Sequence, residues 1–154
     1  MACLIMKNCE NYDLVGIGAG PFNLSIAALL APVKNVKHRF FERQEKYNWH
    51  PGMLLPNATI QNSFLKDLVS FADPTSQFSF LSFLHSQKRL YEYINAGFSR
   101  MLRSEFNQYL QWVGNELDSV KWGERIEEVS IVNDGFEVFS DKGSYLTRNI
   151  VLNP

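Results

Sequence analysis

A glycine-dense turn is the part of this sequence whose residue types are best suited to chemistry. The segment Asp13–Leu24 passes from a short apolar run through Gly16, Gly18 and Gly20 into an Ala/Leu-rich stretch. A diphosphate group can approach main-chain N–H groups at the start of a helix only where no Cβ blocks it, and Gly18 and Gly20 provide that clearance. The turn therefore predicts a phosphate-binding site between a strand and a helix.

An acidic residue at the end of the next predicted strand supports this interpretation. Glu42 lies 24 residues beyond Gly18, where a carboxylate can accept hydrogen bonds from both ribose hydroxyls of a dinucleotide. The run Gly18–Asn23 departs from the dinucleotide-binding fingerprint at the third glycine, which is replaced by Asn23. Dinucleotide binding is the favoured interpretation, and a plain tight turn is the alternative.

Aromatic, imidazole and polar residues follow Glu42 in a region with loop composition. Trp49 and His50 precede a Pro-Gly pair, and Gln61 and Lys66 lie further along the chain. These side chains could line a ligand site. Trp49 and His50 could equally cap the core, and the other two could form an ordinary polar surface, so the residue types leave both alternatives open.

The elements that position these residues follow from the hydrophobic pattern. A continuous apolar run predicts a strand at Tyr12–Ile17 that is buried on both faces. A short helix follows the glycine turn, with an apolar side formed by Leu24 and residues 26–30 and with Pro32 just past its end. A second strand at Val36–Phe41 completes a βαβ unit. The most clearly amphipathic segment predicts a helix at Ser104–Leu117.

Short helices and a β-meander are predicted in the rest of the chain. The shorter helical segments are a turn at Leu65–Phe71, a helix at Phe78–Leu84 with its start signal at Asp73–Ser76, and a helix at Leu90–Ala96 closed by Gly97. Phe78–Leu84 is also assigned to the core. After Trp122 the period falls to two, with turn signals at 133–135 and 141–143, which predicts a three-stranded meander. The predicted fold class is α/β, a Rossmann-like βαβ unit with a helical excursion and a β-meander.

Composition limits the classes of partner. The chain has 154 residues, 45% of them hydrophobic, which is enough for one core. Its formal net charge is −1 with both signs scattered along the chain, which argues against nucleic acid or an anionic membrane as a partner and favours small molecules. Cys3 and Cys9 form no C-x-x-C pair and have no clustered histidine nearby, so no metal site is expected. The short N-terminal apolar run and the lack of a membrane-span-length stretch lead us to expect a reducing, cytoplasmic location.

Several blocks of the sequence resemble the flavin-dependent N-hydroxylating monooxygenases of siderophore biosynthesis. The main members of that family are lysine N6- and ornithine N5-monooxygenases. The blocks are Asp13–Leu30, Trp49–Pro56, Gln61–Leu68, Asp73–Leu81 and Glu105–Trp112. Trp-His-Pro-Gly-Met and Ser-Phe-Leu-Lys-Asp-Leu are far more specific than the glycine turn. The resemblance covers nearly the whole chain but about the first third of a family member, and is nearest to the lysine branch.

The resemblance implies FAD as the cofactor and assigns residues to it. The implied FAD-binding residues are Gly16, Gly18, Ala19, Gly20, Pro21, Phe22, Asn23, Leu24, Glu42, Trp49, His50, Gln61 and Ile126. Within this set, Glu42 is expected to hold the ribose, Gln61 to lie beside the flavin, and main-chain groups of Ile126 to contact the adenine. Lys66 is expected to bind the carboxylate of the substrate, L-lysine or L-ornithine.

The resemblance also implies NADPH as the reductant of the flavin and dioxygen as the oxidant. Residues 1–154 then correspond to an N-terminal segment of the FAD-binding domain, and family members carry a complete NADPH-binding domain after it. The isolated chain is accordingly expected not to be a competent monooxygenase. The alternative is a non-catalytic Rossmann-type remnant or interaction module. The aromatic-rich excursion after Glu42 disfavours a piece of a simple NAD-dependent dehydrogenase, and a homo-oligomer is left open.

Overall fold

The structure, a computed structural model, describes residues 10–153 of the chain. Cys3 and Cys9, for which no metal site is predicted, lie outside these residues. The described part contains four helices and eight strands, besides a single 3-10 turn at Pro51–Met53. In chain order they are β1 (Glu10–Ile17), α1 (Pro21–Leu30), β2 (His38–Glu42), β3 (Thr59–Ser63), α2 (Phe80–Ser86), α3 (Leu90–Asn95), β4 (Arg100–Leu102), α4 (Arg103–Glu116), β5 (Val120–Trp122), β6 (Ile126–Val132), β7 (Gly135–Ser140) and β8 (Ser144–Leu152).

Six of the strands form one mixed sheet in the order β5-β2-β1-β8-β7-β6. β1 pairs in parallel with β2 on one side and with β8 on the other, so that Val15 lies between Arg39 and Ile150. β5 extends the parallel part beyond β2, whereas β7 and β6 continue beyond β8 as antiparallel strands. The predicted βαβ unit and meander are both confirmed, and β8 joins them into a single sheet.

Both faces of β1 are buried, as its continuous apolar run predicts. Neighbouring residues of a strand point to opposite faces, so Leu14 packs against the larger core and Val15 belongs to the smaller one. The larger core includes residues of α1, α2 and α4, and the smaller core includes Phe41 and Val138. The glycine turn at the end of β1 therefore rises from a strand that is packed on both sides.

The predictions of α3 and α4 are confirmed. α4 spans Arg103–Glu116, one residue from each predicted end, and α3 ends before Gly97, whose φ of +69° is in the left-handed region favoured by glycine. No helix within residues 10–153 is long and apolar enough to cross a membrane.

Two predictions are wrong in the excursion, the segment between β2 and α4 (residues 43–102). One is wrong in the start of a helix and the other in the type of structure. α2 begins at Phe80, because Ser79 is its N-cap and accepts a hydrogen bond from the N–H of Ser82 at 3.1 Å. The predicted start signal at Asp73 instead makes a local turn, in which its carboxylate accepts from the N–H of Thr75 at 3.0 Å. Residues 65–71 form turns and bends, with no helix.

The same segment contains one confirmed prediction and one sheet that was not predicted. The core assignment is confirmed, since four of its apolar residues are buried: Phe78, Phe80, Phe83 and Leu84. β3 and β4 pair as a two-stranded antiparallel sheet that the sequence did not predict. β3 has five residues and β4 three, too few for a period of two to stand out.

Candidate functional site

The turn between β1 and α1 has the geometry of an anion-binding helix start. Gly18 has a φ of +84°, a conformation that glycine adopts without strain. Gly20 is the N-cap of α1 and offers no side chain to the first turn, and Pro21 follows it at the start of the helix. The Gly20 carbonyl accepts the first intrahelical hydrogen bond, so the N–H groups of Phe22 and Asn23 precede that bond. Such N–H groups, at the positive end of the helix dipole, attract negative charge.

Asn23 holds this turn from inside. Its side chain is only 1% exposed, and its Nδ2 donates hydrogen bonds to the carbonyls of Gly18 at 2.7 Å and Ile17 at 3.2 Å. The position where the fingerprint has a third glycine is thus occupied by a side chain that fixes the turn. The departure from the fingerprint has a structural reason.

Glu42 lies at the carboxyl end of β2, next to the glycine turn. Its Oε2 accepts a hydrogen bond from the N–H of Ala19 and its Oε1 from the N–H of Gln44, both at 2.9 Å. The N–H of Gly18 also donates to the Phe41 carbonyl at 2.8 Å. The carboxylate is therefore fixed beside the turn, and each oxygen retains acceptor capacity for a ligand hydroxyl.

A cavity of about 620 Å³ opens at this end of the sheet. Its volume lies within the range of about 300–1,000 Å³ typical of small-molecule sites. Eight of the predicted site residues line it: Gly18, Ala19, Gly20, Pro21, Glu42, Trp49, His50 and Ile126. No three His, Cys, Asp or Glu residues in the described part of the chain are grouped as metal ligands would be.

The remaining predicted residues lie outside the cavity lining. Gly16 packs against the ring of Phe40, where an added Cβ would come within 2.0 Å of a ring carbon, so this glycine has a packing role. Leu24 is buried in the larger core, and the Phe22 side chain is 78% exposed. For Phe22 and Asn23, the candidate ligand-binding groups are therefore the main-chain N–H groups at the helix start and not the side chains.

Gln61 and Lys66 are exposed and lie on neighbouring parts of the excursion. Gln61 is in β3, and Lys66 is in the turn that follows, where its N–H donates to the Ser63 carbonyl at 2.9 Å. That turn is organised by Asp67, whose carboxylate accepts four hydrogen bonds, including one from the N–H of Phe80 at the start of α2. The described residues thus form a cavity at the glycine turn, and Gln61 and Lys66 are exposed side chains outside its lining.

Several cavity residues were not singled out from the sequence. They are Ile17, Phe41, Arg43, Gln44, Tyr47, Asn48, Pro51, Trp122, Glu124, Arg125 and Asn153. Many follow or end β1, β2, β5 and β8, at the carboxyl edge where open α/β sheets bind ligands. The strand-end rule could have found them, but only once the order of the strands was known.

Two of these residues supply polar groups to the cavity wall. Burial, and secondarily the negative charge of Glu42, raises the pKa of Tyr47 well above its usual range, so its hydroxyl stays protonated. Glu124 is 4% exposed, and its Oε1 accepts hydrogen bonds from Ser140 and Tyr145, both at 2.6 Å. Burial and this bond to Glu124 raise the pKa of the Tyr145 hydroxyl.

Asn153 lies directly over the glycine turn. Its N–H donates to the Ile17 carbonyl at 3.0 Å, which continues the pairing of β8 with β1. A Cβ added to Gly20 would lie 2.1 Å from the Asn153 Nδ2. The Asn153 amide therefore occupies the space that a side chain at position 20 would need.

Together these groups can bind an anionic diphosphate and a ribose diol side by side. The helix start provides main-chain donors for the diphosphate, and Glu42 provides an acceptor for the hydroxyls. Trp49 and His50, whose ring centroids are 5.3 Å apart, form an aromatic part of the wall. An extended ligand with an aromatic group at one end fits this arrangement.

Comparisons with known proteins agree with this geometry. The family model of L-lysine 6-monooxygenase/L-ornithine 5-monooxygenase matches residues 10–153. A putrescine N-hydroxylase from Shewanella oneidensis is 41% identical over 151 residues, covering 92% of this chain. The FAD-bound structure of a cadaverine monooxygenase of desferrioxamine biosynthesis from Erwinia amylovora superimposes with a TM-score of 0.90 at 36% identity, covering 92% of this chain. An ornithine N-hydroxylase from Kutzneria, with reduced FAD, NADP⁺ and L-ornithine, has a TM-score of 0.86 at 38% identity and the same coverage.

The match is nearly complete for this chain but partial for these proteins. It covers 30% of the putrescine N-hydroxylase, 35% of the cadaverine monooxygenase and 37% of the ornithine N-hydroxylase. The chain therefore spans about a third of the length of the proteins that it matches.

Proposed function

The chain belongs to the L-lysine 6-monooxygenase/L-ornithine 5-monooxygenase family, and from this we propose that it is the FAD-binding part of an NADPH- and O2-dependent monooxygenase. The reaction is hydroxylation of a terminal amine for hydroxamate siderophore biosynthesis. In this proposal residues 1–154 make up an N-terminal segment of the FAD-binding domain. The NADPH-binding domain corresponds to a part of the family members that this chain does not match.

One observation carries the proposal. The glycine turn and Glu42 line the same cavity, and the N–H of Ala19 donates a hydrogen bond to Glu42 Oε2 at 2.9 Å. A dinucleotide needs both features at this separation, a donor surface for its diphosphate and an acceptor for its ribose.

The residues of the cavity suit FAD in particular. The diphosphate would lie at Gly18 and Gly20, the adenosine ribose at Glu42, and the adenine toward the main chain of Ile126. The flavin ring would extend toward Trp49 and His50, which supply aromatic surface. FAD reduced by NADPH supplies the electrons with which one atom of O2 is transferred to the amine and the other leaves as water.

The substrate amine must attack as a neutral group. A free lysine side chain has a pKa of about 10.4, so well under about 1% of it is neutral at pH 8. Lys66 would bind the substrate carboxylate as a fixed cation and orient the amine, without accepting or donating a proton itself. Trp49 and His50 would shield the reaction from water on their side.

The substrate proposed from the sequence is L-lysine or L-ornithine. A diamine is the second candidate, because the putrescine N-hydroxylase from Shewanella oneidensis is 41% identical to this chain. Lys66 separates the two candidates, since a diamine has no carboxylate for this ammonium to bind.

The first test is binding of FAD to the purified chain. We expect a yellow protein from which heat releases FAD, and saturable FAD binding in a fluorescence titration. Gly20→Ala should abolish binding. Combining it with Asn153→Gly removes the clash with the Asn153 side chain, so binding that stays lost in the double variant would show that the methyl group itself blocks the diphosphate. Gly143→Ala is the matched control, because a Cβ there meets no atom within 4 Å.

Either of two results would contradict the proposal. A colourless, folded chain that does not bind FAD would support the alternative of a non-catalytic Rossmann-type remnant or interaction module. Rapid amine-dependent NADPH oxidation by the chain alone would contradict the proposal that the NADPH-binding domain lies outside the part of the family members that this chain matches.

The substrate is tested in a longer polypeptide that also contains the NADPH-binding domain found in family members. Lys66→Ala should raise the KM for L-lysine or L-ornithine and leave the FAD content unchanged, while Lys34→Ala, beyond the far end of α1, should change neither. An unchanged KM for the amino acids, or turnover of diamines alone, would remove the carboxylate role of Lys66.

A further inference from the structure

Helix α4 makes hydrogen bonds to the loop that carries Trp49 (residues 43–50). The Asn107 Oδ1 accepts a hydrogen bond from the Trp49 N–H at 2.8 Å, and the Gln111 Nε2 donates one to the Tyr47 carbonyl at 3.0 Å. Both bonds go to main-chain groups of the loop, so they fix its path whichever side chains it carries. Asn107 is only 8% exposed, although asparagine is usually a surface residue.

Two ring contacts reinforce these hydrogen bonds. The indole of Trp49 packs edge-to-face on Phe106, with centroids 4.9 Å apart at 85°, and the Arg103 guanidinium lies 4.6 Å from the indole centroid. Positions 103, 106, 107 and 111 are three and four residues apart and lie on one face of the helix. A continuous stripe of α4 thus faces the loop.

The helix that bears this stripe is itself firmly anchored. The side of the helix next to this stripe buries Tyr109, Leu110 and Val113, each 0% exposed, in the larger core. The loop is not rigid by its own sequence, because His50 has a φ of +42°, a left-handed conformation unfavourable for a residue with a Cβ. The contacts from α4 are what can hold the loop in this shape.

We propose that Asn107 and Gln111 are positioning residues for the flavin end of the cofactor site. They hold the main chain of the loop so that Trp49 and His50 form the cavity wall that receives the flavin ring. This inference rests on the proposed function, since it requires the flavin end of FAD to lie toward Trp49. The diphosphate and adenosine end lies at Gly20, Glu42 and Ile126, none of which is a partner in these two bonds.

The experiment compares FAD with ADP, which lacks the flavin ring, as ligands of the same variants. Asn107→Ala and Gln111→Ala should each raise the dissociation constant for FAD about three- to tenfold, the effect of losing one hydrogen bond, and leave that for ADP within about twofold. Asn115→Ala, at an exposed position of the same helix, is the matched control and should change neither value. Hydrogen exchange of the Trp49 N–H, measured without ligand, should quicken in Asn107→Ala.

The outcomes separate this inference from the proposed function. Equal weakening of FAD and ADP binding would overturn the inference, because it would mark a general loss of structure. Faster exchange at Trp49 with unchanged FAD affinity would overturn it too, while leaving the proposed function intact. An unsubstituted chain that binds ADP but not FAD, or neither ligand, would overturn both.

Discussion

Asn23 shows how one side chain can replace a glycine by a different physical means. In the usual fingerprint the third glycine lets the helix pack closely on the strand. Here the buried amide donates to the carbonyls of Gly18 and Ile17 and ties the turn to the first turn of α1. The turn is thus shaped by a specific side-chain contact as well as by glycine freedom.

Restoring the fingerprint at this position should therefore be harmful. Asn23→Gly leaves the Gly18 carbonyl without its donor and lowers the free energy of unfolding by about 1–3 kcal/mol, with weaker FAD binding. Urea denaturation and FAD titration measure the two effects. Asn115→Gly, which places a glycine at an exposed helical position, accounts for the cost of glycine itself. A variant as stable as the parent would show that the amide does not hold the turn.

At the scale of elements, the sequence predicted most reliably where the pattern was long. The apolar run of β1, the three- and four-residue spacing of α4 and the alternation of β6–β8 were each long enough to define type and position. The excursion between β2 and α4 was harder, because its elements are short and held by distant contacts. The start of α2 illustrates this, since Ser79, and not the better-looking signal at Asp73, is the N-cap.

The candidate site divides in the same way. The glycine turn and Glu42 follow from local spacing, because a strand, a turn and a helix fix their geometry within one βαβ unit. Glu124 and Asn153 could not be found from spacing, since they reach the cavity only through the pairing of strands distant in sequence. No contact among the described residues tests the roles of Gln61 and Lys66 toward FAD and substrate, which remain predictions.

Tyr109 is one of the residues through which α4 contacts the segment between β2 and α4. Its buried hydroxyl donates to the Phe78 carbonyl at 2.7 Å and accepts from the Leu68 N–H at 3.3 Å. Tyr109→Phe keeps the ring but leaves both main-chain groups unpaired, so we expect the free energy of unfolding to fall by about 1–3 kcal/mol. Urea denaturation measures the loss.

Tyr91→Phe provides the control for this change. Tyr91 lies on α3 and its side chain is 80% exposed, so removal of its hydroxyl should leave the unfolding midpoint unchanged. Equal effects of the two substitutions would show that the Tyr109 hydroxyl does not contribute through these bonds.

The six-stranded sheet separates the two cores, and both cores contain tyrosines whose raised pKa keeps the hydroxyl protonated. Burial raises the pKa of Tyr93 to about 12 and that of Tyr47 and Tyr109 further, all in the larger core. Burial likewise raises the pKa of Tyr12 and Tyr145, which lie in or against the smaller core. The packing on both faces of the sheet therefore depends on protonated phenols.

This dependence predicts that the fold weakens in alkali and not near neutrality. Between pH 10, the usual pKa of tyrosine, and the raised folded values, the unfolded chain binds fewer protons than the folded one, so stability falls as pH rises. Each fully buried group adds a slope of at most about 1.4 kcal/mol per pH unit, and partly exposed groups such as Tyr145 add less. Urea unfolding from pH 8 to 11.5 should show a plateau to about pH 9.5 and then a decline. Tyr47→Phe should make the decline shallower, whereas Tyr91→Phe should not; parallel curves for all three proteins would refute the prediction.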